Sequence, residues 1–256
     1  MKKIELKTLS FSKLRLYLLC PRQYYYAYAE GIFQKETRAG IFGSYVHAVL
    51  EDYLKHLLKT GKDQDLEALY GLARKREKEY EGVPAAGTLS FQEADIIFNR
   101  FASKKIDYRK IYAVEKHFRI PESEDGSVSI DGRMDRIDRE EKSDGKQFLH
   151  IIDYKTGTEQ LTEEELKENM QMKFYVLAAW LLYRKVYSLF RFTLYYLCDN
   201  REVDFETEYD PRFEEEITGH IEAVSRDDKY EKNIAQHCYY CPALKLCQPD
   251  LSHLKK

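Results

Sequence analysis

No stretch of this sequence is long and apolar enough to cross a bilayer. The longest apolar run, Phe174 to Tyr183, is closed by Lys173 and Arg184, well short of the roughly 20 residues a spanning helix needs. No apolar segment follows Met1-Lys2-Lys3-Ile4-Glu5, as a secretory signal would require. A soluble, cytoplasmic chain with no membrane partner is expected. Pro/Gly-rich linkers, internal repeats and low-complexity tracts are also missing, and there are only 6 Pro and 12 Gly in 256 residues. Neither sign of charge dominates, since 41 Lys and Arg face 44 Asp and Glu for a net charge of −3. A histone-like polycation is thereby excluded. A nucleic-acid binder with a locally basic or metal-bearing groove is not. Five cysteines, an odd number without a signal peptide, speak against a disulfide framework and leave metal binding open.

What the chain does have is enough apolar sequence for a core, 43% hydrophobic against 33% charged, in one large domain or two small ones. Its 21 Tyr and 13 Phe suit either core packing or stacking on bases. Ser10-Phe11-Ser12 predicts a helix start running to about Cys20, where Pro21 interrupts ahead of Tyr24-Tyr25-Tyr26. Val46, Val49, Leu50, Tyr53, Leu54, Leu57 and Leu58 recur at the helical period and predict a helix from Gly43 to Leu58. Helical sequence continues to about Tyr108, with a break near Gly82 to Gly87. Strands are expected over 112–120, 127–138 and 147–154. An amphipathic helix is expected from Asn169 to Val186. A strand from Leu189 to Cys198 then turns at Asp199-Asn200 into a hairpin with Val203 to Tyr209, followed by a helix from Pro211 to Val224. That order reads as one mixed α/β domain with an N-terminal helical insertion.

Along the third strand, side chains alternate, so Leu149, Ile151, Asp153 and Lys155 share a face. An apolar face ending in a carboxylate and an ammonium is costly unless the charges are paired or bind metal. The preceding strand offers Asp135 in Gly132-Arg133-Met134-Asp135-Arg136. Asp135 and Asp153 brought together would hold a hard cation such as Mg²⁺ or Mn²⁺. Asp138 and Asp131 are nearby alternatives, ranked lower as solvent-facing charges. Glu115 is a third acid, or equally an exposed strand charge. His47, at the edge of the helical stripe, suits a metal ligand or a boundary residue. Gln171 and Tyr175, four apart, share a helix face. In the tail, Cys238-x2-Cys241-x5-Cys247 supplies three thiolates in ten residues. Cys20, at a helix end, is a better fourth ligand than Cys198, which packs on an apolar strand face; His237 and His253 are the substitutes.

His47, Glu115, Gly132-x-x-Asp135-Arg136, Asp153-Tyr154-Lys155 and Gln171-x-x-x-Tyr175 occur in one order. Together with Ser10-Phe11-Ser12 and Cys20-Pro21-Arg22, this order resembles the PD-(D/E)XK nuclease superfamily in its RecB-like branch, from Ser10 to Pro249. The superfamily's proline is replaced in Ile151-Ile152-Asp153-Tyr154-Lys155. The resemblance implies a restriction-endonuclease-like core, a mixed central sheet flanked by helices, in a single domain over 1–256. Within it the helical insertion would span about 51–108, the nuclease core about 109–210, and the cluster-binding segments about 10–30 and 230–250. It also implies that His47, Asp135, Asp153 and the Tyr154 carbonyl hold the metal, with Glu115 helping. Lys155 would orient or deprotonate the attacking water, and Gln171 and Tyr175 would contact the substrate backbone or that water.

The one-early, three-late cysteine pattern is similar to that of the AddB C-terminal nuclease and the CRISPR-associated RecB-like exonucleases. It implies a structural 4Fe-4S cluster on Cys20, Cys238, Cys241 and Cys247 that joins the two termini, with zinc as the alternative. The function expected from the resemblance is a metal-dependent deoxyribonuclease, an exonuclease favouring single-stranded DNA, acting in DNA repair and recombination or in CRISPR adaptation. A helicase or CRISPR adaptation partner would supply unwinding. Tyr24 to Tyr26 and the basic Lys104-Lys105 and Arg109-Lys110 would stack and steer a strand, or else form a packed aromatic cluster and a solvated helix face. The competing classes are a non-catalytic nucleic-acid-binding module and an unrelated zinc or redox iron–sulfur protein.

Overall fold

A computed structural model describes residues 2–80, 91–122, 126–183, 186–252 and 254. The expected break near Gly82 to Gly87 and the candidate ligand His253 lie outside them. Among the described residues no helix is long and apolar enough to cross a membrane. The chain divides into two compact units. The first comprises Met1–Lys35, Phe118–Gly132 and Pro211–Lys256; the second comprises Glu36–His117 and Arg133–Asp210.

In the first unit, β1 (Thr8–Ser10) leads into α1 (Phe11–Leu19), whose start is fixed by Ser10 Oγ accepting from Lys13 N–H at 3.3 Å. The helix breaks ahead of Pro21 as expected, with α1 ending at Leu19, but Pro21 is not followed by irregular chain. It opens a new helix, α2 (Pro21–Glu30), at the one position where its missing N–H costs nothing. Tyr24, Tyr25 and Tyr26 therefore lie on a helix. Tyr24 and Tyr25 are buried with Val224 and Tyr230 in this unit's core. Those two rings serve packing, not base stacking. Tyrosine suits such a core because a hydroxyl can find a partner: Tyr17 donates to Asp227 Oδ2 at 2.9 Å, Tyr25 to Glu30 Oε1 at 2.8 Å, and the Tyr230 hydroxyl accepts from Ile4 N–H. Asn233 Nδ2 donates to the Leu19 carbonyl and Arg22 Nε to the Tyr230 carbonyl, which ties the early segment to the late one. The late segment enters through α8 (Pro211–Arg226).

The second unit is built on α3 (Arg38–Thr60), α4 (Leu66–Glu77) and α5 (Phe91–Ser103), with a mixed sheet beyond them. The predicted stripe is buried on α3, which starts earlier than expected because Thr37 caps it. Strand β2 (Ile111–Pro121) pairs with β3 (Ser129–Glu141). Within this unit β3 runs antiparallel to β4 (Gln147–Lys155), β4 parallel to β5 (Leu189–Tyr196), and β5 antiparallel to β6 (Arg201–Glu208). In the first unit β1 lies parallel to Ser129–Asp131 of β3. The β4–β5 crossover carries α6 (Glu163–Lys167) and α7 (Met170–Tyr183), as a parallel pair requires. The sheet is mixed and flanked by helices, as the resemblance implied.

Three expectations are corrected. Helix α7 is not amphipathic: Met172, Phe174, Val176, Leu177, Ala178 and Ala179 are all buried, so it is enclosed on nearly every side. Asp138 is not solvent-facing: it is buried and held by both Nε and Nη2 of Arg136. Cys198 lies past the end of β5, half-buried, with its thiol donating to the Thr156 carbonyl.

Candidate active site

The β3–β4 register pairs Arg136 with Ile152. One step further along both strands lie Asp135 and Asp153, side by side at the end where β4 finishes in Lys155. Asp135 Oδ2 accepts the Tyr154 N–H at 2.8 Å, which locks the first carboxylate to the backbone next to the second. Helix α3 brings His47, whose Nδ1 lies 3.5 Å from Asp135 Oδ2. Gly43 sits one turn before His47. A Cβ there would lie 2.9 Å from Thr156 Oγ1, so glycine permits the close approach of α3 to the end of β4.

Asp153 is 5% exposed. Its Oδ1 accepts from Gln171 Nε2 at 2.8 Å, and its Oδ2 lies 2.5 Å from Lys155 Nζ. Lys155 Nζ also donates to Gln171 Oε1 at 3.0 Å. One amide thus holds both the carboxylate and the ammonium. Gln171 is placed by Asn169, whose Oδ1 accepts the N–H groups of Gln171 and Met172 and so caps α7. Tyr175 lies one turn further on the same helix and is half-buried.

Glu115 enters from β2 with a backbone φ of +51°. A non-glycine residue pays of order 1–3 kcal/mol for that left-handed geometry, which turns the carboxylate inward. Its side chain is only 8% exposed, and Oε2 lies 2.6 Å from Arg133 Nε. His47, Glu115 and Asp135 each offer a ligand atom within 4.8 Å of the others. Asp153 stands beside this trio, drawn toward Lys155 and Gln171. Arg133 carries no role in the sequence pattern. Its position two residues before Asp135, on the same strand face, was the available signal.

The electrostatics follow from crowding acids away from water. Burial pushes the Asp153 carboxyl up against the pull of Lys155, and Asp135 adds to the rise. Burial, reinforced by Asp135, pushes Glu115 up to about 7. Burial pulls the His47 imidazole down, but the hydrogen bond and charge of Asp135, with Asp153 and Glu115, outweigh it and hold His47 above its usual value. Carboxylates and an imidazole this close, with Glu115 and Asp153 held up by burial and by the charge of Asp135, fit a divalent cation. The donor set matches that chemistry without rearrangement of the strands.

The four cysteines Cys20, Cys238, Cys241 and Cys247 line one small cavity in the first unit. Burial pushes the thiols of Cys241 and Cys247 up, and the neighbouring thiols add to it. Cys198 belongs to the second unit. His237 also lines the cavity.

Residues 8–248 match the model of the PD-(D/E)XK nuclease superfamily, and the chain belongs to that superfamily. The chain is similar to an ATP-dependent helicase/deoxyribonuclease subunit from Carboxydothermus hydrogenoformans, 26% identical over 206 residues, covering 68% of this chain and 18% of that protein. The protein of the same name from Symbiobacterium thermophilum is 23% identical over 181 residues, covering 59% and 16%. The chain thus spans less than a fifth of the length of these relatives. A solved structure described as "Crystal structure of SSO0001" aligns over 96% of this chain and 88% of that one, at 14% identity and a TM-score of 0.41.

The raised Glu115 value makes a pH prediction for the metal-free chain. An unfolded Glu ionises near 4.5, whereas the folded one holds its proton to about 7. The folded state binds more protons in between, so this contribution to stability is full below 4.5 and is lost as pH rises through 7. Melting in EDTA between pH 5 and 8 should show the wild-type chain losing roughly 1–3 kcal/mol more than Glu115→Gln. Parallel curves for the two proteins would contradict the burial of Glu115.

Proposed function

We propose that the chain hydrolyses DNA phosphodiester bonds with Mg²⁺ or Mn²⁺ held by His47, Asp135, Asp153 and the Tyr154 carbonyl, with Glu115 assisting. The observation that carries this reading is the joint placement of Asp153 and Lys155 by Gln171, directly beside the compact trio of His47, Glu115 and Asp135. A divalent cation there supplies water activation and neutralises charge developing on the phosphate. The protein's own groups do the rest. The Lys155 ammonium, already oriented by Gln171, faces the position where an attacking water loses its proton and stabilises the negative transition state. Gln171 hydrogen-bonds both Asp153 and Lys155 and so fixes the two groups relative to each other. Tyr175, one helical turn on, is read as a contact to the substrate backbone. Its phenol is kept protonated by burial and so remains a donor.

Single-stranded DNA, degraded from an end, is the substrate we favour. The names of the relatives combine helicase and deoxyribonuclease, which supports a helicase partner that delivers an unwound strand in repair rather than CRISPR adaptation. The thiols of Cys20, Cys238, Cys241 and Cys247 are read as ligands of a structural 4Fe-4S cluster. All four surround one cavity, which supports a shared metal centre. Tetrahedral zinc on the same four thiolates is the alternative. Closing a loop between Cys20 and Cys238 is a stabilising role that needs no redox change.

Asp153→Asn, which retains the hydrogen bond from Gln171, should cut end-labelled DNA at least about 10³-fold more slowly in Mg²⁺ or Mn²⁺, with an unchanged circular dichroism spectrum. Wild-type cleavage should vanish in EDTA. A folded variant that cuts normally would remove Asp153 from the site, and wild-type protein that shifts DNA in a gel without cutting it would support a binding module instead. Anaerobically purified Cys20→Ala should lose its iron and its visible thiolate-to-iron absorbance, while Cys198→Ser keeps both. Full iron in Cys20→Ala would show that the fourth ligand lies elsewhere.

A further inference from the structure

On both strands of the candidate site an acid stands two residues from a cation. On β4 the pair is Asp153 and Lys155. On β3 it is Asp135 and Arg133, which share a face because side chains alternate. The last β3–β4 pair is Arg136 with Ile152, so Arg133 and Lys155 each lie three residues past it on their own strand.

The two cations are held differently. Lys155 is committed: its Nζ lies 2.5 Å from Asp153 Oδ2 and donates to Gln171 Oε1. Arg133 has a side chain that is 50% exposed, and its one ion pair among the described residues is with Glu115, Nε to Oε2 at 2.6 Å. That approach lacks hydrogen-bond alignment, since Glu115 Oε2 is buried without a hydrogen-bond partner. Charge therefore holds the guanidinium in place while its five N–H groups make no hydrogen bond among the described residues. Other arginines of the chain fill their donors. Arg136 grips Asp138 with two, Arg76 bonds Asp52 and Glu79, and Arg22 donates to two backbone carbonyls. Those side chains tie the fold together; an open fork beside three acids does not.

Electrostatics says what the open fork suits. An incoming phosphodiester is an anion, and Glu115, Asp135 and Asp153 meet it with like charge. Lys155 is already divided between Asp153 and Gln171. Arg133 is the neighbouring cation with donors to spare, and a guanidinium matches phosphate because two parallel N–H groups meet two oxygens. Glu115 keeps it at the solvent edge of the site without using those donors. Its charge also acts on the phenol of Tyr175, on the helix that supplies Gln171.

We propose that Arg133 binds a backbone phosphate of the DNA strand beside the one being cut, with Glu115 holding its guanidinium in position. The proposal deepens the nuclease reading and rests on it for the identity of the ligand.

The test is binding of a fluorescein-labelled single-stranded oligonucleotide to the full chain, with Ca²⁺ in place of Mg²⁺, read by anisotropy over a range of NaCl. Affinity is then measured apart from cutting. Arg133→Gln should weaken binding by about tenfold. It should also make the slope of log affinity against log salt shallower by about 0.7, the loss of one phosphate contact on a single strand. Arg133→Lys keeps the charge but not the fork, and should restore the slope and only part of the affinity. Oligonucleotides that each carry one neutral methylphosphonate linkage locate the contact: one position should weaken the wild type and leave Arg133→Gln unaffected. A purely structural role through Glu115 would move neither the slope nor that pattern. Unchanged affinity and slope in folded Arg133→Gln, a loss no larger than that of Arg226→Gln at an exposed position of α8, or no binding by the wild type would overturn the proposal. The expected binding responses without cleavage in Mg²⁺ would leave the phosphate contact standing and remove the nuclease reading.

Discussion

The site depends on a carboxylate held almost out of water at the end of a strand. Asp153 is buried, and an isolated ionised carboxylate there would be prohibitively costly. The second unit is arranged around that cost. Lys155, two residues along the same strand, brings a positive charge to the same face. Gln171 hydrogen-bonds both groups and fixes their spacing. Helix α7 must then lie against the sheet to deliver Gln171, which explains why it is enclosed on nearly every side. The β4–β5 crossover places that helix, and the Asn169 cap sets where it begins. Even with Lys155 present, burial and Asp135 keep Asp153 pushed up. The residual mismatch is what a divalent cation would relieve.

A similar economy governs the other face of the same strands. There the buried charges are satisfied internally, by Arg136 with Asp138 and by His150 with Glu140 and Thr193. The candidate catalytic face crowds Glu115, Asp135 and Asp153 together and burial pushes two of them up, whereas the rear face pairs its acids with Arg136, His150 and Lys110. In the first unit the problem is different: large rings must be buried without stranding hydroxyls, and Tyr17 and Tyr230 find partners across the unit while Tyr25 finds a local one.

Much of this is legible in the residues alone. The period-two alternation of β4 places Asp153 and Lys155 on one face without reference to the fold, and the α3 stripe puts His47 at its border. Other features were out of reach for physical reasons. The inward turn of Glu115 depends on a left-handed φ within a strand, which no residue pattern announces. Asp138 looked exposed because its partner, Arg136, lies on the same strand face two residues away, and burial of the pair depends on neighbours distant in sequence. Strand β1 has three residues and takes its register from β3, so it has no period of its own. Two features did carry a signal that went unread. Thr162 and Glu165 form a capping box that marks α6, and Pro21 sits where proline commonly starts a helix rather than ending one.

Crowded acids on the candidate catalytic face, with Glu115 and Asp153 pushed up by burial, make sense if they hold a divalent cation. The most direct test counts bound Mn²⁺ by electron paramagnetic resonance in the wild-type chain and in Asp135→Asn/Asp153→Asn, both folded and at equal concentration. Tight binding by the wild type that the double variant loses by at least about tenfold is the predicted result. Equal Mn²⁺ occupancy in the two proteins would contradict it.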